Sequence, residues 1–223
     1  MAVKPFLGQV NNSVPSNFVE TKTSGAKPDV NLKLKWAHGF RSFDTTDNLR
    51  YTKDGNVVFT TAGLGVVYDK RTKTQSFYNE HAEDIVAMAL HPDGDIVATG
   101  QMASKELGDE RSNKKNARNK GVLKQGKLVD IRIWRASTCE TICKIRGFHR
   151  RAVRTLKFSP GGSKLLSIGE DDQHSVAVYD WATQTNIGNA KCDPAKVNDA
   201  EWKNETEFAT CGVKHMMTFT QNG

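Results

Sequence analysis

The sequence predicts an all-β protein, a β-propeller of which about four blades are present. The stretch 152–180 indicates why, because three short apolar runs in it are separated by turn signals at 159–162 and 169–172. No helical period runs through this stretch, and the same pattern recurs elsewhere in the chain. Short strands that are joined by tight turns and repeated in sequence favour stacked antiparallel sheets.

The repeat defines the blades. Residues 85–94 match residues 152–161, and residues 197–202 begin a further copy, 44 positions after the copy that begins at Val153. A period of roughly 40–45 residues is typical of WD40 propellers, which have a His before the first strand and a Trp-Asp pair closing the third. The leading-His places are held by His81 and His149, and the Trp-Asp places by Trp134-Arg135 and Tyr179-Asp180.

Three regions follow from this pattern. Residues 1–31 contain Pro, Gly, Asn and Ser without periodicity and are predicted to be an extended N-terminal arm, either a solvated tail or a segment that lies across a partner or its own domain. Residues 32–78 are predicted to hold the first blade, preceded by a half-buried strand at 32–36, where Lys alternates with apolar residues. Residues 79–223 are predicted to hold blades two to four, the last one incomplete.

Composition excludes several classes of protein. Hydrophobic residues make up 37% and charged residues 26% of the 223 positions, which is ordinary for a globular domain. No apolar run approaches the roughly 20 residues of a membrane span, and the N-terminus lacks a signal-peptide core. We therefore expect a cytoplasmic protein with no membrane partner. Cys139 and Cys143 are four apart, a spacing that supports neither a metal site nor a local disulfide, and no cofactor is predicted.

A basic insertion interrupts the second blade. Residues 104–127 contain eight basic and three acidic side chains, in a chain whose net charge is +7. The segment is interpreted either as a solvated surface loop or as an electrostatic contact with an acidic polymer. It contains no aromatic residue, so base stacking is not supported and a protein surface is favoured over nucleic acid. The predicted partner-binding residues are Lys114, Lys115, Arg118, Lys120, Lys124 and Lys127.

A polar cluster at 170–174 resembles acid–base machinery but has a structural interpretation. In a WD40 blade, a leading His, a Ser or Thr on the second strand and an Asp in the next turn bond to the aromatic residue of the third strand. Buried polar groups must be paired, so such a network fixes the turns of a blade. The predicted network residues are His149, Ser167, Asp172 and Tyr179. On this interpretation the protein is not an enzyme.

Several motifs resemble one protein family. Residues 32–41, LKLKWAHGFR, resemble the HELP motif of the echinoderm microtubule-associated protein-like (EMAP-like) family, and residues 4–8 resemble a segment that precedes it in long members. Further family-like stretches follow in the same order at 48–51, 62–68, 90–93, 97–101 and 211–215. The resemblance implies a tandem pair of WD40-type propellers that binds microtubules without catalysis.

Two departures from that pattern bear on assembly. Residues 1–31 hold no heptads, so coiled-coil self-association is not expected. About four blades are too few for most WD40 propellers, so the sequence is predicted to be part of a longer tandem-propeller chain, or to have its open ends covered by other chains. A compact four-bladed ring is the alternative.

The expected function is therefore that of a scaffold. The predicted partners are tubulin or microtubules and other axonemal or cytoskeletal proteins, and the predicted location is the cytoskeleton, including the axoneme of a cilium or flagellum. The alternative is a general WD40 adaptor that assembles a non-tubulin protein complex or an RNA-linked one.

Overall fold

The computed structural model describes residues 12–19, 30–103 and 129–221. The chain divides into two compact units, residues 1–34 and residues 35–223. In the described part of the first unit, the amide of Phe18 donates a hydrogen bond to the carbonyl of Pro15 at 2.9 Å, and the Phe18 side chain is exposed. The predicted insertion at 104–127 lies outside the described residues.

The described residues of the second unit form fifteen strands in four antiparallel sheets. The first sheet contains β1 Leu49–Tyr51, β2 Val57–Thr61, β3 Leu64–Asp69 and β4 Thr74–Tyr78. The second contains β5 Ile85–Leu90, β6 Ile96–Gln101, β7 Asp130–Arg135 and β8 Thr141–Arg146. The third contains β9 Val153–Phe158, β10 Lys164–Gly169, β11 Val176–Asp180 and β12 Thr185–Ala190, and the fourth contains β13 Val197–Trp202, β14 Glu207–Gly212 and β15 His215–Thr220.

Strands that are consecutive in sequence are neighbours in every sheet. This is the blade pattern of a propeller, and it confirms the predicted all-β fold with about four blades and no closure among the described residues.

An apolar core fills each junction between successive sheets. Between the first and second sheets, the ring of Tyr78 stacks on Trp134 with centroids 4.6 Å apart. Ile133 and Leu156 belong to the core between the second and third sheets, and Trp202 to the core between the third and fourth. Because β6 and β10 are covered on both faces, their side chains are apolar or small along almost their whole length.

The turn after the first strand of each sheet is bonded to the equivalent turn of the next sheet. Gly55, Gly94 and Gly162 each adopt a positive φ in these turns, between 75° and 80°. The amide of Lys53 donates to the carbonyl of Gly94 at 2.9 Å, which joins the first sheet to the second.

The same connection continues along the chain. His91 Nε2 lies 3.1 Å from the carbonyl oxygen of Gly162, joining the second sheet to the third. Lys164 Nζ donates to the carbonyl of Glu205 at 2.7 Å, and the amide of Gly161 donates to the Glu205 carboxylate, joining the third sheet to the fourth.

The predicted strand at 32–36 is wrong, since no strand precedes β1 in the described residues. The chain instead crosses a face of the first sheet. Gln75 pairs its side-chain amide with the backbone of Ala37, accepting at 2.8 Å and donating at 3.3 Å. Trp36 packs edge-on against Tyr68 with centroids 5.7 Å apart. The alternation of Lys and apolar residues therefore does not mark a half-buried strand, since Leu32 and Leu34 are exposed. The side chain of Gln75 takes backbone hydrogen bonds of Ala37 that a strand would have given to a neighbouring strand.

Residues 35–48, here called the strap, are held to the neighbouring sheets by ion pairs and hydrogen bonds. The guanidinium of Arg41 contacts Asp44 at 2.7 Å and Asp84 at 2.5 Å, which ties the strap to the second sheet. Farther along, Arg154 of β9 donates to the carbonyl of Asp44 at 2.5 Å, and Lys157 of β9 contacts Asp47 at 2.7 Å. The strap therefore connects the first sheet to the second and third.

Candidate partner-binding surface

A buried hydrogen-bond network lies inside the third sheet, at three of the four positions predicted for it. His149 Nε2 lies 2.7 Å from the hydroxyl oxygen of Ser167, which also hydrogen-bonds Tyr179. Burial lowers the pKa of His149 to about 4 and raises the pKa of Tyr179 to about 12, so both groups are neutral at pH 7. A network of neutral, buried groups is suited to holding the sheet and not to proton transfer.

The fourth predicted residue, Asp172, lies outside this network. Its side chain is 79% exposed and pairs with Arg151 at 2.8 Å. The carboxylate beside His149 is that of Asp171, which also accepts hydrogen bonds from the amide of Gln173 at 3.1 Å and the hydroxyl of Ser175 at 3.0 Å. The backbone course of the turn directs the first of the two adjacent acids inward and the second outward.

The second sheet contains an equivalent network, which the sequence analysis did not predict. Trp134 Nε1 donates to the hydroxyl of Thr99 at 3.1 Å, and that hydroxyl lies 2.7 Å from His81 Nε2. His81 Nδ1 faces Gln101 Oε1 at 2.9 Å, so an amide stands where the third sheet has a carboxylate. The signal for this network in the sequence is that His81 and Trp134 hold the same positions of the repeat as His149 and Tyr179.

In the fourth sheet a thiol takes the place of the imidazole. The sulfur of Cys192 lies 3.3 Å from the hydroxyl of Thr210, whose place on β14 matches that of Ser167 on β10. Cys192 is five residues before its sheet's first strand, whereas His149 is four before β9. The group before the first strand is thus an imidazole in two sheets and a thiol in the third case, whereas its partner on the second strand is a hydroxyl each time. This pattern fits a role in stabilising the sheets.

The polar cluster at 170–174 is also occupied by turn contacts. His174 Nδ1 lies 2.9 Å from the carbonyl oxygen of Asp193, and Asp171 is engaged as described above. Within residues 12–19, 30–103 and 129–221, no group of three or more His, Cys, Asp or Glu side chains is placed to hold a metal ion.

The described residues that flank the basic insertion are fixed, by the loop before the third sheet on one side and by the second sheet on the other. On one side, Met102 pairs with Ala152 in an isolated bridge, and the amide of Ala103 donates to the carbonyl of Arg151 at 2.6 Å. On the other side, Val129 is buried and leads directly into β7. The six predicted partner-binding residues between these ends, Lys114 to Lys127, lie outside the described residues, so the structure places only the root from which they extend.

Four charged side chains meet beside this root, and we call them the Asp130 cluster: Asp130, Arg132, Lys144 and Arg146. The carboxylate of Asp130 is 2% exposed and contacts Arg146 Nη2 at 2.9 Å, Lys144 Nζ at 3.1 Å and Arg132 Nη2 at 3.4 Å. Burial by itself raises the pKa of Asp130, but hydrogen bonds from Arg146 and Lys144 outweigh it and lower that pKa. The register of β7 with β8 creates the cluster, because it pairs Asp130 with Arg146 and Arg132 with Lys144.

Further cations continue this surface. Arg150 and Arg151 are exposed in the loop that follows β8, and Arg151 is the residue whose carbonyl holds Ala103 at the insertion root. Acidic residues lie there as well, since Arg151 pairs with Asp172 at 2.8 Å and the amide of Met102 donates to the carbonyl of Asp84. The positive charge of this region therefore comes mainly from the sequence of the insertion, which has eight basic and three acidic residues.

Comparison with known proteins identifies the family. The model of the echinoderm microtubule-associated protein first β-propeller matches residues 74–223. The chain belongs to this family. A model of the HELP motif matches residues 27–66, a range that includes the whole strap, β1 and β2.

Individual EMAP-family relatives agree along almost the whole chain. The human echinoderm microtubule-associated protein-like 1 is 30% identical over 233 residues, which cover 99% of this chain and 26% of the relative. The human echinoderm microtubule-associated protein-like 2 is 31% identical over 234 residues, covering 100% of this chain and 33% of the relative. The 77 kDa echinoderm microtubule-associated protein of Strongylocentrotus purpuratus is 29% identical over 222 residues, covering 96% and 30% respectively.

This EMAP-family chain thus spans about a quarter to a third of the length of these relatives. Among the residues that the structure describes, no helix is long and apolar enough to cross a membrane.

Proposed function

We propose that the chain is a non-catalytic, microtubule-associated scaffold that binds tubulin or microtubules through the surface of its propeller. The family carries this proposal, since the relatives that match over nearly the whole chain are named as microtubule-associated proteins. No cofactor takes part, and other cytoskeletal proteins are the additional partners.

The charge distribution supports the same proposal. The insertion at 104–127 has eight basic and three acidic residues, and Arg150 and Arg151 are exposed in the loop that holds Ala103 at its root. Long-range attraction between a basic segment and an acidic surface increases the rate of association.

Co-sedimentation with polymerised microtubules tests the proposal. The intact chain is compared with a variant in which residues 104–127 are replaced by a short Gly-Ser linker, at low salt and at about 0.15 M salt, where charges are screened beyond about 8 Å. The intact chain is expected to pellet at low salt and to be released as salt rises, whereas the linker variant pellets less and responds less to salt. An intact chain that stays in the supernatant at low salt contradicts the proposal.

A finer test uses matched charge substitutions. Changing Lys114, Lys115, Arg118 and Lys120 to Gln is expected to reduce pelleting and flatten its salt dependence. The control changes four cations at the far end of the first sheet, namely Lys53, Lys70, Arg71 and Lys73, all exposed. Equal losses in both variants point to net charge in place of a defined surface, and retention on RNA but not on tubulin favours the adaptor alternative.

The cellular location is a further part of the proposal. A cytoskeletal scaffold of this kind is expected on stable microtubules, and the axoneme of a cilium or flagellum is the location we propose. A fluorescently tagged chain in a ciliated cell, imaged together with tubulin, checks this. A tagged chain that is diffuse in both the cytoplasm and the cilium contradicts it.

A further inference from the structure

The strap meets the root of the basic insertion at one guanidinium. Arg41 Nη1 lies 2.5 Å from a carboxylate oxygen of Asp84, and Arg41 Nη2 lies 3.9 Å from the sulfur of Met102. The carbonyl of Asp84 in turn accepts a hydrogen bond from the amide of Met102 at 2.9 Å. Met102 directly precedes Ala103, the last described residue before the insertion. Arg41 therefore contacts both residues that form this backbone hydrogen bond at the root.

These contacts close a circuit that returns to the strap. Met102 pairs with Ala152 in an isolated bridge just before β9. Two residues farther along the chain, Arg154 donates to the carbonyl of Asp44, and Asp44 binds Arg41 through both of its carboxylate oxygens at 2.7 Å. The strap, the residue before β5, the insertion root and β9 thus hold one another. Contacts that belong to one such network are coupled, so the loss of one weakens the others.

The guanidinium of Arg41 is mostly buried where these contacts converge. Its side chain is 10% exposed, and the side chains of Asp44 and Asp84 are 33% and 43% exposed. A guanidinium holds five N–H donors in one plane, so it can bind two carboxylates at once in a fixed geometry. Hydrogen bonds to a charged group that is largely withdrawn from water contribute more than exposed ion pairs do, so this contact restrains the residues that it joins.

We propose that the strap fixes the root of the insertion, with Arg41 as the positioning residue, which acts through Asp84 and Met102. The course of the chain as it leaves β6 is then set by a residue 61 positions earlier in the sequence. The inference rests on the proposed function in one respect. A loosened root has to be ordered again when the chain binds its partner, so a change in the strap weakens binding while the insertion keeps all its charges.

Hydrogen exchange of individual backbone amides tests the inference without any partner. In Arg41→Gln, the amides of Met102 and Ala103 are expected to exchange roughly tenfold faster than in the unchanged protein, because the circuit that holds them is opened. The amide of Val213, which donates to the carbonyl of Lys196 in the fourth sheet at 2.9 Å, is expected to keep its rate. Equal acceleration at all three amides indicates a general loss of stability and overturns the inference. Unchanged exchange at Met102 and Ala103 overturns it as well.

A second variant opens the same circuit from the other side and covers the case in which Arg41→Gln fails to fold. Asp84→Asn keeps the size of the side chain and the carbonyl that Met102 uses, and removes the charge that binds Arg41. It is expected to accelerate exchange at Met102. The double variant Arg41→Gln/Asp84→Asn is expected to exchange no faster than Arg41→Gln, because both substitutions remove the same contact, and additive effects overturn the inference.

The matched control is Arg71→Gln. It removes the same charge as Arg41→Gln and breaks an exposed pair in which Arg71 lies 3.9 Å from Asp69, away from the circuit. Exchange at Met102 and Ala103 is expected to stay as in the unchanged protein. An acceleration equal to that of Arg41→Gln assigns the effect to net charge and overturns the inference.

Microtubule pelleting separates this inference from the proposed function. Arg41→Gln is expected to pellet less than Arg71→Gln, and the difference is expected to vanish when residues 104–127 are replaced by the Gly-Ser linker. Faster exchange at Met102 in Arg41→Gln, together with an unchanged chain that never pellets, retains the inference and disproves microtubule binding. Unchanged exchange at Met102 in a chain that pellets through the insertion disproves the role of Arg41 alone.

Discussion

Individual residues make the contacts between neighbouring sheets, and Gly162 is the one whose backbone and surroundings leave least room for another residue. Its φ is +80°, and a Cβ added there would come within 2.1 Å of His91 Nε2. The turn therefore needs a glycine for two separate reasons, a left-handed backbone and the close approach of an imidazole from the neighbouring sheet.

Gly162→Ala is expected to destabilise the fold by about 1–3 kcal/mol through strain and displacement of His91. The matched control is Gly55→Ala, which has a φ of +77° but no atom within 4 Å of the added Cβ, so it incurs backbone strain alone. Urea unfolding of both variants measures the difference. If the two lose the same stability, the contact with His91 does not contribute.

The tryptophans differ in burial in a way that the sequence alone does not indicate. Trp202 is 7% exposed and donates from Nε1 to the carbonyl of Lys157 at 3.1 Å, whereas Trp36 is 40% exposed on the face of the first sheet. Trp202→Ala is expected to cost roughly 3–5 kcal/mol of folding free energy. Trp36→Ala is expected to cost about 1 kcal/mol. Thermal unfolding of the two variants checks the order, which a larger loss for Trp36→Ala would contradict.

At the scale of a sheet, the buried imidazoles make stability depend on pH. Burial lowers the pKa of both His81 and His149 from 6.5 to about 4 in the folded protein. Between these values the unfolded chain binds more protons than the folded one, so stability is complete above about pH 6.5 and falls as the pH drops toward 4. Each ring accounts for about 3 kcal/mol over that range.

Urea midpoints at pH 7.5 and pH 5 measure this loss. His149→Gln is expected to lower stability at pH 7.5 but to reduce the further loss between pH 7.5 and pH 5, because one titrating group is gone. The same pH dependence in the variant and in the unchanged protein would show that His149 does not titrate in this range.

Most of the sheets could be predicted because each strand is a short apolar run between turn residues. The segment at 32–36 could not, since its alternation of Lys with apolar residues is typical of a half-buried strand, yet Leu32 and Leu34 are exposed. The backbone that follows bonds instead to the side-chain amide of Gln75, which is 38 positions from Ala37. Asp171 and Asp172 are chemically equivalent in sequence, and only the turn geometry separates them. The Asp130 cluster forms because the register of β7 against β8 places Asp130 opposite Arg146. The spacing of these residues in the sequence does not predict that register.

At the scale of the whole second unit, the strap contacts sheets that are distant from it in the sequence. Arg41 contacts Asp44 and Asp84, and the carbonyl of Asp44 accepts from Arg154 of the third sheet. The strap contains no strand in the described residues, so side-chain contacts hold it.

Arg41→Gln is expected to release the strap and lower folding stability by about 1–3 kcal/mol, the usual worth of hydrogen bonds to charged groups. Limited proteolysis is expected to cleave the variant within residues 35–48 faster than the unchanged protein. The control is Arg71→Gln, which removes an exposed ion pair in which Arg71 lies 3.9 Å from Asp69. This control should leave the cleavage rate unchanged. Equal protection of both variants would assign the anchoring to Trp36 and Ala37 instead.

The bonded turns have a consequence for how such a chain can diverge. In the first three sheets, the turn after the first strand donates to a partner in the following sheet, from Lys53 to Gly94, from His91 to Gly162 and from Gly161 to Glu205. Lengthening one of these loops by a single residue would displace a donor or acceptor needed by the neighbouring sheet, so a change of length there is expected to be destabilising. The basic insertion of this chain lies elsewhere, between the second and third strands of the second sheet.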